Sequence, residues 1–115
     1  MKDFPGLYQE LNTWMEKLGL VMPDVMKEFG DLHEATLRQG VLDNKTKELM
    51  ALAIAICVRC DGCITYHVHD ALKAGASKEE IAETISVSIL MGGGPSVVYG
   101  IEALQAMVAH LEEGL

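Results

Sequence analysis

Apolar residues recur at intervals of three and four along almost the whole chain, and no polar–apolar alternation lasts long enough for a strand. That periodicity confines the chain to helices packed on helices, and Gly and Pro mark the joins. Leu7, Leu11, Trp14 and Leu18 share one face of a first segment, about Pro5 to Lys17, with Gly19 suited to end it. A second runs from Pro23 to about Gln39, with Met22, Met26, Phe29 and Leu32 on one side and Gly40 as the break. Asp43 is placed to cap a third, which continues through the apolar run Leu49–Val58. Being apolar nearly all round, this helix is expected at the buried centre of the fold. After a turn at Arg59–Gly62, a fourth helix reaches about Ala74, closed by Gly75. Ser77 and Glu80 form a capping box for a fifth. It carries Ile81, Ile85, Ile89 and Leu90 as far as Gly92-Gly93-Gly94-Pro95. The sixth, about Pro95 to Glu113, carries Val98, Ile101, Leu104, Val108 and Leu111. The fold class is therefore all-α with about six helices. No linker, repeat or low-complexity tract interrupts the 115 residues, so 1–115 is expected to form one domain.

Charge and hydropathy narrow the partners. Seventeen acidic residues against nine basic ones give a net charge of −8, which disfavours a nucleic-acid phosphate backbone. The apolar run Leu49–Val58 is too short to span a membrane. Met-Lys-Asp-Phe-Pro-Gly is not followed by the apolar stretch of a secretion signal, so the expected location is the cytoplasm. The third, fifth and sixth segments carry wider apolar faces than a small monomer can cover, which points to a homo-oligomer. The competing expectation is that the first two helices wrap the rest. Three cysteines, an odd count in a reducing compartment, argue against a disulfide scaffold and leave chemistry, metal binding or packing.

The chemistry concentrates in Cys60-Asp61-Gly62-Cys63-Ile64-Thr65-Tyr66-His67. Two cysteines three positions apart at a helix start can close a disulfide, and the exposed N–H groups and positive dipole end favour a thiolate. Such a site can lower a thiol pKa from about 8.5 to about 7 or below, a thiolate preference of roughly 2 kcal/mol. His67 lies one turn beyond Cys63 on the same face and leans toward it, a base beside a nucleophile. Asp61 opposes the thiolate unless Arg59 offsets it, or serves as the helix cap. Cys57 extends the pattern to three cysteines at iron–sulfur spacing, but His67 stands where a fourth cysteine would, and Cys57 ends an apolar helix as a small hydrophobe would. Zinc held by Cys60, Cys63, His67 and either His69 or Glu48 is a further reading. His33, His69 and His110 have no thiol or carboxylate at clear ligand spacing, and the glycine run matches no phosphate-binding fingerprint.

Glu48, eleven residues, then Cys60-x-x-Cys63-x-x-x-His67 resembles the signature of the alkylhydroperoxidase D-like group of the carboxymuconolactone decarboxylase family. The resemblance covers about Leu42 to Met91, including Thr46-Lys47-Glu48-Leu49 and the Gly75-Ala76-Ser77 turn. It implies a helical fold assembled into trimers or hexamers, and thiol-dependent reduction of peroxides or disulfides by Cys60 and Cys63, with Glu48 and His67 as a proton relay. The substrate is then a small peroxide or disulfide. An external thiol reductant regenerates the pair, and no organic cofactor or metal is required. The chain departs from the namesake peroxidase in being undoubled and in having Gly62 where that enzyme has a histidine, which leaves general disulfide reduction open. The decarboxylase branch typically lacks the cysteine pair. The alternatives are acid–base lactone chemistry by Glu48 and His67, or a zinc-binding or redox-sensing module. Along a straight helix Glu48 would lie about 18 Å from Cys60, so it reaches His67 only if the fourth helix doubles back beside the third or a neighbouring subunit supplies it.

Overall fold

Each helix begins and ends where local chemistry can satisfy its exposed backbone groups. In the computed structural model, which describes Lys2–Leu115, the helices are α1 (Phe4–Val21), α2 (Pro23–Leu37), α3 (Asn44–Cys57), α4 (Asp61–Lys73), α5 (Lys78–Gly92) and α6 (Gly94–Glu112). The all-α expectation holds. Asp43 caps α3 by accepting from the Thr46 N–H at 2.8 Å, a contact type that contributes about 1 kcal/mol. Both bonds of the Ser77–Glu80 capping box are present at the start of α5.

The end of α1 departs from expectation. Gly19 does not stop it; the helix continues to Val21 and breaks at Met22. The cause is Pro23, whose ring disfavours helical geometry in the residue before it, and Met22 sits at φ −137° and ψ 70°. At the end of α2 the Asn44 side chain donates to the Leu37 carbonyl at 2.6 Å, and Lys47 Nζ donates to the Arg38 carbonyl at 2.8 Å. These bonds replace the missing helical partners and tie α2 to the start of α3.

Helix α3 packs on α4 and α5, and α6 packs on α4 and α5, while α1 lies over α4 and α6. The core runs through Leu52, Ile56, Ile64, Val68 and Ile81, all fully buried. Burying a side chain of this size contributes roughly 1.5–3 kcal/mol. The expected all-round burial of α3 does not occur. Glu48, Leu52, Ala55 and Ile56 form its buried stripe, whereas Met50, Ile54 and Val58 are at least half exposed.

The first three turns of α6 turn small residues inward, and Met107 and His110 are buried beyond them. Ser96, Gly100, Ala103 and Ala106 are buried, while Val98, Ile101, Leu104 and Val108 are exposed. Close approach explains the inversion: a Cβ at Gly100 would meet Ile85 Cγ2 at 2.7 Å, and one at Gly92 would meet Ser96 Oγ at 1.9 Å. Among the described residues no helix is long and apolar enough to cross a membrane.

Candidate thiol redox site

The turn between α3 and α4 sets up the site. Arg59 takes a left-handed φ of 60°, the Cys60 N–H donates to the Ala55 carbonyl at 3.1 Å, and the chain reverses so that α4 runs back along α3. Cys60, rather than Asp61, is the N-cap residue of α4: its Sγ accepts from the Cys63 N–H at 3.2 Å. The two cysteines are joined as a disulfide across a Cα–Cα distance of 5.2 Å. Cys57 is free, its thiol directed at the Ser88 carbonyl (3.6 Å) and within 3.9 Å of Ser96 Oγ, on the side of α3 facing α5 and α6.

Antiparallel pairing of α3 with α4 also brings Glu48 against His67 within one chain: His67 Nδ1 lies 3.2 Å from Glu48 Oε2. Glu48 is 2% exposed, and a carboxylate so buried needs a partner, since an unpaired charge there costs several kcal/mol. An ionised carboxylate can only accept, so a Glu48 carboxylate pairs with His67 through a proton on Nδ1, which turns Nε2 away from Glu48.

Cys60, Cys63 and His67 all line one open cavity of about 400 Å³, walled by Leu11 and Met15 of α1, Met26 and Phe29 of α2, and Tyr66 of α4. Its volume and apolar walls with few polar groups are those of a small-molecule site. A larger hollow of about 880 Å³ lies between the N-terminal residues and the start of α4, but neither sulfur nor imidazole faces it. The smaller cavity is where the reactive groups converge. Gly62 lies beneath it, and a Cβ there would meet Leu11 Cδ1 at 3.0 Å, so a larger residue would displace part of the wall.

Asp61 is neutralised, but not by Arg59. Lys2 pairs with it and also with Glu102 at 2.5 Å, and the Lys2 ammonium holds the Asp61 carboxyl below the usual carboxylate range. The acidic residue beside the cysteines therefore carries its own counter-charge from the chain's N-terminal segment.

The other histidines divide. His69 Nδ1 is 2.9 Å from Asp70 Oδ1 and its ring stacks on Tyr8 at 3.9 Å. His110 is buried, with Nε2 at 2.9 Å from Thr65 Oγ1, which itself donates to the Phe4 carbonyl. Burial, with His69 nearby, pushes the His110 pKa below the usual imidazole value. His33 sits on the cavity wall, and the sequence reading passed it over. The missed signal is its place seven residues after Met26, since Met26, His33 and Leu37 are the half-buried stripe of α2, while Leu32 points outward. Among the described residues no three His, Cys, Asp or Glu side chains are grouped to hold a metal ion. The zinc arrangement weighed from the sequence is not assembled here, because Glu48 is bonded to His67 and His69 to Asp70.

Fold and site together define a class: small helical proteins built around a paired-cysteine helix start, with an imidazole and a carboxylate behind it. The family model for the carboxymuconolactone decarboxylase family matches residues 23–106, and the chain belongs to that family, in its alkylhydroperoxidase D-like form. A crystal structure of an apo family member from Legionella pneumophila is 39% identical, with a TM-score of 0.90 over 93% of this chain and 96% of that one. A family protein from Thermotoga maritima, for which a part in the antioxidative response is suggested, is 38% identical over 76% of this chain and 90% of that one, with a TM-score of 0.71. An uncharacterised protein of Cupriavidus necator is 37% identical over 89% of this chain and 90% of its own.

Proposed function

We propose that the protein is a thiol-dependent oxidoreductase that reduces small peroxides or disulfides with the Cys60–Cys63 pair. The observation that carries this reading is the placement of both sulfurs at the start of α4, on a cavity that also receives His67 backed by buried Glu48. His67 Nε2 takes the Cys63 proton, and Glu48 steadies the imidazolium that results. With a peroxide, one thiolate attacks an oxygen, the O–O bond breaks and a sulfenic acid and an alcohol form. The second thiol displaces water from that sulfenic acid and closes the disulfide. With a disulfide, the first thiolate forms a mixed disulfide and the second resolves it. Either way the dithiol gives up two electrons, which an external thiol reductant returns.

The exposed apolar residues of α5 and α6, Leu90, Val98, Ile101 and Leu104 among them, support assembly into a homotrimer or homohexamer. Light scattering at micromolar concentration tests this; a stable 12.5 kDa monomer counts against it.

The activity is tested by counting thiols before and after peroxide or disulfide, with and without a dithiol reductant. Two thiols should disappear per chain and return on reduction, with turnover when both reagents are present. Lactone chemistry that survived loss of both cysteines would instead favour Glu48 and His67 as an acid–base pair.

A further inference from the structure

The hydrogen-bonded imidazoles among the described residues are His67, His69 and His110; the fourth, His33, is held only by rings. It stands edge-on to Tyr66 at 6.1 Å and nearly parallel to His67, with ring centroids 6.4 Å apart and planes 16° from each other. One side of His33 faces the apolar cavity that holds the two sulfurs. Another borders a separate polar hollow of about 370 Å³, lined also by Glu48, Asp70 and Lys73. An imidazole with no hydrogen-bond partner among the described residues, between an apolar chamber and a polar one, can pick up a proton on one side and deliver it on the other.

We infer that His33 is a second catalytic imidazole, the acid that protonates the departing sulfur or oxygen of the substrate while His67 serves as base to Cys63. The inference rests on the redox reading above and narrows it to substrates, uncharged dialkyl disulfides first, whose basic leaving groups depart slowly without a proton. The apolar walls suit alkyl groups, and His67 is already committed to Glu48 through Nδ1. With a dialkyl disulfide, one cysteine thiolate bonds to the nearer substrate sulfur and the substrate S–S bond breaks. The electron pair goes to the departing sulfur, which takes the His33 proton and leaves as a thiol. The second cysteine thiolate then attacks the mixed disulfide, and the second alkyl thiolate leaves and is protonated in turn. The two cysteine thiols thus supply two electrons and two protons: His67 releases the cysteine protons to solvent, and His33 draws an equal number from the water of the polar hollow to protonate the two leaving thiolates.

The test compares two uncharged disulfides in single turnover with the reduced full-length protein. 4,4′-Dithiodipyridine releases a thiolate delocalised into its ring, which needs no proton on sulfur; bis(2-hydroxyethyl) disulfide releases a localised, basic alkyl thiolate. His33→Gln is expected to slow the dialkyl reaction by about 10²-fold or more. The dipyridyl reaction should stay within about threefold, because its leaving thiolate is delocalised into the ring and departs without a proton on sulfur. Added imidazole should restore part of the dialkyl rate to His33→Ala and leave its dipyridyl rate unchanged. Equal slowing of both substrates, or slowing of neither, overturns the role of His33 while the redox reading stands. If the wild-type dithiol reacts with neither substrate, the redox reading fails and the His33 role fails with it.

Discussion

Helix α4 carries two histidines two residues apart whose surroundings differ completely. His67 backs onto a buried carboxylate and fronts onto a cavity with two sulfurs. His69 is stacked on Tyr8, bonded to Asp70 and set edge-on to His110, whose Nε2 is in turn held at Thr65. Both groups are rich in titratable side chains and hydrogen bonds, yet only the first has a reactive partner and room for a substrate. Hydrogen bonding alone therefore does not single out His67 as the proposed base; its access to a cavity shared with two sulfurs does.

Substitutions should separate the two regions cleanly. The largest effect is expected from Cys60→Ser or Cys63→Ser, either of which should abolish turnover with disulfide and dithiol reductant, as read in a steady-state assay. Next comes His67→Gln, which should slow thiol oxidation by about 10²–10⁴-fold. Part of the rate should return as pH rises toward about 8.5, where solvent forms the thiolate unaided. Glu48→Gln should show a smaller deficit of the same kind; normal rates and a normal thiol pKa in both variants would remove the relay.

The second region should respond in stability instead. His110→Ala is expected to lower unfolding free energy by about 1–3 kcal/mol, through the lost bond to Thr65 and the space left behind, with the rate per folded molecule unchanged. A pH dependence sharpens the contrast. The His110 pKa is lowered in the fold, so its contribution is complete above the unfolded value of about 6.5. It is lost as pH falls from there through the folded value, because the unfolded chain takes up the proton first. Denaturation midpoints should thus drop between pH 7 and pH 5, and less so in His110→Gln. The smallest effect belongs to Lys2→Ala. Freed of its counter-charge, Asp61 should make thiolate formation slightly harder, by an amount that fades with added salt.

Much of this was legible in the chain. Capping residues announce themselves over three or four positions, so Asp43 and the Ser77–Glu80 box could be placed in advance. The spacing of Cys60, Cys63 and His67 lies within about two turns, and local geometry fixes their shared face. What was not legible is tertiary. Whether Glu48 meets His67 within one chain depends on the direction of α4, and that follows from a left-handed Arg59. Lys2, 59 residues from Asp61, displaces Arg59 as the expected counter-charge. The inward face of α6 from Ser96 to Ala106 is made of small residues because α5 approaches so closely at Gly100, a distance no periodicity encodes. His33 was set aside for want of a partner at ligand spacing for the same reason: what it faces is a cavity, and a cavity exists only once α1, α2 and α4 have met.

The account turns on which sulfurs exchange electrons. Fully reduced protein should be oxidised by one equivalent of a small disulfide, then alkylated and mapped by peptide mass spectrometry. The expected product has Cys60 linked to Cys63 within each chain and Cys57 alkylated as a free thiol. A main product in which Cys57 is disulfide-bonded, or in which Cys60 and Cys63 are both still alkylated, would contradict the assignment.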